Sequence, residues 1–154
     1  MSDGARSPSV GAAAPDFTAP REGGETFHLG DILGQRAVVL YFYPEDDTPG
    51  CTAESCGFRD QRTTFAEAGA EVIGVSGDSP ESHAAFAAKY QLSFPLVSDG
   101  DGAVRRLYGV EPHGPLPRRT TFLIDREGVI RQILSSLPEA KQHVGDALAA
   151  LRRL

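Results

Sequence analysis

With 154 residues and 40% hydrophobic side chains, the chain is long enough to bury roughly 70% of its unfolded surface, so one domain over residues 1–154 is expected, without disulfide staples. Its 21 acidic residues outnumber 15 basic ones, for a net charge of −6, and no basic stripe interrupts them, which argues against nucleic acid as a partner. The N-terminus lacks the apolar core of about seven residues that an export signal needs, and no later run reaches the roughly 18 that span a bilayer, so no membrane is expected and the chain reads as cytoplasmic.

The first 15 residues, rich in Ala, Gly, Ser and Pro, read as an extended lead-in, with residues 1–8 expected to be mobile. Residues 37–43 and 70–76 are short apolar runs ended by Pro, Gly or Ser, the pattern of central, parallel strands buried on both faces. Between them a helix is expected to start near Cys51 and run towards Gly69, turning Cys51, Phe58 and Phe65 inward. Ser79-Pro80 supplies an N-cap and a first-turn proline for a second helix carrying Ala84, Phe86, Ala87 and Tyr90. A short third helix should cover residues 103–108 and stop at Gly109. Residues 120–125 and 129–134 read as a hairpin turned by Gly128. A last helix is expected from Pro138 to Leu154, with Ala140, Val144, Ala147, Leu148 and Leu151 at helical spacing and Gly145 weakening it by about 1 kcal/mol. The order strand, helix, strand, helix, strand, hairpin, helix describes an α/β domain with a central mixed sheet flanked by helices.

The two cysteines, Cys51 and Cys56, follow the turn after the first strand. A cysteine in the first turn of a helix meets unpaired backbone N–H groups and the positive end of the helix dipole, and both favour the reactive thiolate. Thr48 offers a hydroxyl that can donate and accept near the sulfur. Pro44 is expected to stiffen the loop and screen the sulfur from water. Pro49 and Gly50 shape the start of the helix, Gly50 letting backbone donors approach a ligand or a developing negative charge. The bland alternatives are two inert core thiols or a zinc site, which wants four ligands, whereas His28, His83, His113 and His143 are dispersed. Each histidine is expected at the surface or its boundary, and the acidic run Glu45, Asp46 and Asp47 is expected to be a solvated loop with no metal. Asp99 to Gly102 reads as a turn into a helix, and Arg152 and Arg153 complement the last helix's dipole.

The spacing Pro44-x3-Thr48-x2-Cys51 resembles the active-site motif of the peroxiredoxins. Cys56, five residues on, resembles the resolving cysteine of their peroxiredoxin Q subfamily, also called bacterioferritin comigratory proteins. The segments 74–79, 90–99 and 119–125 are similar to that subfamily too, so the resemblance covers residues 9–152. It implies a thioredoxin-like fold and reduction of hydrogen peroxide or an alkyl hydroperoxide. It also implies Cys51 as the attacking sulfur, Pro44 and Thr48 as pocket walls, Arg119 as the guanidinium that stabilises thiolate and polarises peroxide, and Glu54 as the acid orienting Arg119. Arg118 competes for that role. The family's arginine lies three residues before the strand's phenylalanine, here Phe122, which selects Arg119, and by strand parity Arg118 points the other way. Cys56 would condense with the Cys51 sulfenic acid. Thioredoxin or a glutaredoxin would then reopen the bridge, with no metal or organic cofactor and with the protein a monomer.

Two other functions compete. A thiol–disulfide oxidoreductase would display Cys-x-x-Cys, and here Thr48 stands where its first cysteine would be. A redox sensor or holdase would need a switchable surface, for which no segment offers itself. One geometric consequence follows if both thiols share a helix. Five residues advance about 7.5 Å and turn through about 140°, leaving the α-carbons roughly 8 to 9 Å apart, beyond the reach of a disulfide. The helix would have to unwind, which Ala53, Ser55 and Gly57 are expected to ease.

Overall fold

The structure, a computed structural model, describes residues 8–135 and 140–154. Two short antiparallel strands, β1 (Thr18–Pro20) and β2 (Thr26–His28), precede the main sheet. β3 (Ala37–Phe42) leads into α1 (Pro49–Asp60) and α2 (Arg62–Glu67), and β4 (Ala70–Ser76) leads into α3 (Pro80–Tyr90). β5 (Leu96–Ser98) is followed by α4 (Ala103–Tyr108), then by the hairpin of β6 (Thr120–Ile124) and β7 (Ile130–Ser135), and finally by α5 (Ala140–Leu151). The strands lie in the order β5-β4-β3-β6-β7. β3, β4 and β5 run parallel, while β6 and β7 are antiparallel to their neighbours. This is the expected mixed sheet, and the fold is thioredoxin-like. Among the described residues no helix is long and apolar enough to cross a membrane.

β3 explains why its sequence is apolar throughout. Val39, Tyr41 and Tyr43 enter one buried cluster with Phe58, Phe65, Phe86, Leu123, Val144 and Ala147. Val38, Leu40 and Phe42 enter a second on the opposite face with Ile73, Phe122, Tyr108 and Phe27. A strand covered on both faces needs no polar alternation. The β3–β6 register pairs Phe42 with Thr120, so residue 119 arrives at the end of β3, where the turn to α1 begins. Residue 119 shares parity with Leu123 and therefore the face of the sheet on which Cys51 is buried.

Several expectations need correction. The helix after β3 starts two residues early, at Pro49, and is interrupted at Gln61 (φ −100°, ψ 8°), so α1 and α2 replace one helix to Gly69. Phe58 and Phe65 still meet inside, with ring centroids 5.6 Å apart. The lead-in is fastened rather than loose from Gly11 onward. Gly11 N donates to Ile130 O (2.7 Å), Ile130 N donates to Ala12 O (2.9 Å), and Tyr108 Oη donates to Pro15 O (2.5 Å). The expected mobility of residues 1–8 falls, except for Pro8, outside the described residues, as does the expected start of the last helix at Pro138. That helix ends at Leu151, short of Leu154.

The hairpin turns as expected at Gly128, whose φ of 83° lies in the left-handed region that favours glycine. Asp125 fixes the turn by accepting from Glu127 N (2.9 Å) and Val129 N (3.0 Å). Burial works against its charge, but the Val129 amide, Arg131 and the Glu127 amide outweigh it and hold the carboxyl below its ordinary range.

Candidate active site

The turn between β3 and α1 is built from local bonds. Asp47 takes a left-handed conformation (φ 61°), and Thr48 Oγ1 donates to Glu45 O at 3.0 Å. Thr48 is the N-cap of α1 in extended geometry (φ −89°, ψ 152°), with Pro49 at the first helical position. Thr52 N closes the first intrahelical bond, to Thr48 O at 2.8 Å. Gly50 and Cys51 therefore sit where helix geometry leaves amides without intrahelical acceptors. Because the Thr48 proton points to Glu45 O, its oxygen is oriented to accept from a ligand rather than to donate.

Cys51 is fully buried, in the cluster that holds Tyr43, Phe58, Phe86 and Leu123. Pro44 is exposed at the end of β3, so the burial of the sulfur goes with that cluster. Arg119 Nη2 lies 3.3 Å from Cys51 Sγ, and its Nη1 donates to Glu54 Oε1. Glu54, one turn after Cys51 on α1, is 0% exposed, whereas the Arg119 side chain retains 21% exposure. Burial pushes the Glu54 carboxyl up to about 7, against the charge and hydrogen bond of Arg119. Burial also opposes the Arg119 charge, but Glu54 and then the Cys51 sulfur hold its pKa above the ordinary value. Arg118 is exposed. Strand parity thus sorts the two arginines as expected, with Arg119 directed to the sulfur.

Cys56 is half-buried on the same helix, and both thiols are free. Two of the residues expected to ease unwinding between them are anchored instead. Ser55 is buried, with its Oγ 2.9 Å from Tyr41 Oη. Gly57 lies against α5, where a Cβ would come 3.0 Å from Val144 Cγ2.

His83 and Asp46 also depart from expectation. His83 is fully buried rather than at the surface. The supposedly solvated acidic loop contributes Asp46, 2.7 Å from His83 Nδ1, while Asp47 pairs with Lys89 at 2.8 Å. Nothing local signals the burial of His83, because Asp46 is 37 residues away. Among the described residues, Asp46, Asp78 and His83 are the grouping whose ligand atoms converge closely enough to hold a cation, within 4.8 Å. Those atoms are already engaged in hydrogen bonds with one another and with neighbouring side chains and backbone.

A buried thiol at a helix start, facing a guanidinium that a buried carboxyl holds in place, is the equipment of a thiol peroxidase on a thioredoxin-type fold. Comparison with known proteins places the chain more narrowly. Residues 10–133 match the AhpC/TSA family. The chloroplastic peroxiredoxin Q of Triticum aestivum is 44% identical over 148 residues, covering 95% of this chain and 68% of that protein. Peroxidoxin BcpB from Mycobacterium tuberculosis superimposes with a TM-score of 0.86 at 37% identity, over 96% of this chain and 98% of that one. The bacterioferritin comigratory protein of Xanthomonas campestris, studied for alkyl peroxide reduction, gives a TM-score of 0.81 at 37% identity, over 95% and 96%. The chain belongs to the AhpC/TSA family, in its peroxiredoxin Q branch, and is a thiol-dependent peroxidase.

Proposed function

We propose that Cys51 is the sulfur that attacks peroxide and that Cys56 resolves the product within the same chain. The observation that carries this reading is the 3.3 Å approach of Arg119 Nη2 to Cys51 Sγ. The thiolate forms a bond to the nearer peroxide oxygen as the O–O bond breaks. The departing hydroxide or alkoxide takes the electron pair and then a proton. Arg119 and the amides of the first turn of α1 stabilise that leaving charge, while Thr48 accepts from the peroxide O–H. Glu54 holds Arg119 in place, and Gly50 keeps the helix start open to the ligand. The Cys56 thiol then displaces water from the sulfenic acid to give a disulfide. A dithiol protein, thioredoxin or a glutaredoxin, reduces the bridge by exchange.

Extending the substrate to alkyl peroxides is supported by the likeness to the Xanthomonas campestris protein, which was studied for its alkyl peroxide reduction activity. A bridge within one chain is consistent with a monomer working in a reducing compartment such as the cytosol.

Substitution separates the two sulfurs. Cys51→Ser should abolish peroxide consumption, and substantial remaining turnover would overturn the assignment. Cys56→Ser should react once, leaving a sulfenic acid that dimedone traps, and should lose steady-state turnover with thioredoxin and with glutaredoxin. Normal cycling of that variant would exclude Cys56 as the resolving thiol.

A further inference from the structure

The turn that presents Thr48 and Cys51 is held by a buried polar network that the chemistry above does not use. Asp46 lies between Pro44 and Thr48, and its side chain is 4% exposed. Its carboxylate collects three contacts: Tyr43 Oη at 2.6 Å on Oδ1, and Ser82 Oγ at 2.8 Å and His83 Nδ1 at 2.7 Å on Oδ2. Burial pushes the Tyr43 phenol pKa far up, so it remains a donor. On its other side the His83 ring meets Val97 O, 3.0 Å from Nε2. A carbonyl only accepts, so Nε2 carries a hydrogen. Both ring nitrogens are therefore engaged, Nε2 by the Val97 carbonyl and Nδ1 by the Asp46 carboxylate.

The backbone of the turn is tied into the same network. Asp46 N donates to Asp78 Oδ2 at 2.8 Å, and Ser76 Oγ donates to that same oxygen at 2.6 Å. The adjacent Asp47 accepts from Lys89 Nζ (2.8 Å) and Tyr90 Oη (2.7 Å), so the turn is fastened to both ends of α3. Only the Asp46 end of this fastening is buried.

We propose that Asp46 and His83 are a positioning pair for peroxide reduction: through the turn after β3 they set Thr48 and the first turn of α1 where peroxide and the Cys51 sulfur must meet. The hydrogen bonds of neither side chain reach the sulfur; the pair acts through two residues of backbone, from Asp46 to Thr48. Misplacing reacting groups by about 1 Å costs on the order of 100-fold in rate, so a modest loosening of this turn is enough to be measured. The inference rests on Cys51 being the attacking sulfur.

Two isosteric substitutions divide the histidine's contacts. His83→Asn keeps a nitrogen near the Nδ1 position, towards Asp46, and His83→Gln keeps one near Nε2, towards Val97. The peroxide rate constant of each reduced protein is measured by stopped flow. Iodoacetamide alkylation of Cys51, followed by mass spectrometry, reports the same sulfur without requiring peroxide to be positioned. His83→Gln should slow the peroxide reaction by about 10-fold or more while alkylation stays within about twofold, and His83→Asn should stay within about threefold on both. A wild-type peroxide constant in His83→Gln, equal losses in the two variants, or a loss matched by alkylation overturns the proposal.

Tyr43→Phe, which removes only an oxygen that donates to Asp46, decides the question if neither His83 variant folds. It should lower the peroxide constant by about threefold with alkylation unchanged, and no change refutes the pair's role. Failure of the underlying assignment has a different signature, because wild-type protein alkylated at Cys51 would then still consume peroxide.

Discussion

Replacing Arg119 by methionine should make stability depend on pH in a range where that of the native protein has levelled off. Glu54 is fully buried, and burial raises its carboxyl from 4.5 to about 7 even with Arg119 pulling it down. A carboxyl raised in the folded state contributes stability that is complete below its unfolded value and is lost as pH climbs through its folded value. At about 1.4 kcal/mol per pH unit, this loss amounts to about 3–4 kcal/mol between pH 4.5 and 7 and then stops. In Arg119→Met both contributions that lower the Glu54 value are gone, so its folded value moves above 7 and the loss continues at about 1.4 kcal/mol per unit. Urea unfolding of the reduced proteins from pH 5 to 9 should therefore show a gap between variant and wild type that widens above pH 7. Arg118→Met, at an exposed position, should track the wild type throughout. The same Arg119 variant should react with peroxide about 10- to 100-fold more slowly, as befits the loss of a charge-assisted hydrogen bond of about 1.5–3 kcal/mol. A gap that stays constant from pH 6 to 9 would refute the view that burial, offset by Arg119, governs Glu54.

Two further outcomes follow from the helices. The reduced protein is helical from Pro49 to Asp60, and closing a Cys51–Cys56 bridge requires the first turns to open, so amides of residues 52–55, the first of which bonds Thr48 O, should lose hydrogen-exchange protection on oxidation while Phe58, stacked on Tyr41 at 4.6 Å, stays protected. Equal protection in both forms would contradict the unwinding, and Tyr41→Phe, which frees Ser55, should speed bridge formation by about 2- to 10-fold. In α5, Gly145 is exposed and a Cβ there would meet nothing within 4 Å; Gly145→Ala should raise stability by about 0.5–1 kcal/mol in urea unfolding, with peroxide turnover unchanged.

Much of the architecture was legible because it depends on neighbours a few residues apart. The two-faced apolar runs at β3 and β4 marked central strands. Ser79 does cap α3, its Oγ accepting from Ser82 N at 3.0 Å, and Gly109 ends α4 in a left-handed conformation (φ 72°). The spacing of Pro44, Thr48 and Cys51 likewise located the thiol at the start of a helix. The three-residue strands β1 and β2 were not legible, since each is too short to show alternation. The fastened lead-in was hidden as well, because its backbone partners come from Ile130 and Gly128.

The chain by itself determined where strands, helix caps and a reactive cysteine would lie, since hydrophobic periodicity and capping act within one or two turns. Tertiary structure decided which polar groups are buried. Arg119 reaches the sulfur through the pairing of β6 with β3, Ser55 on α1 is anchored by a tyrosine of β3, and His83 is buried only because Asp46 and the Val97 carbonyl meet its two nitrogens. A polar side chain leaves water only where partners satisfy it. For these residues the partners are brought by segments 14 to 68 positions away, a distance over which local sequence pattern carries no signal.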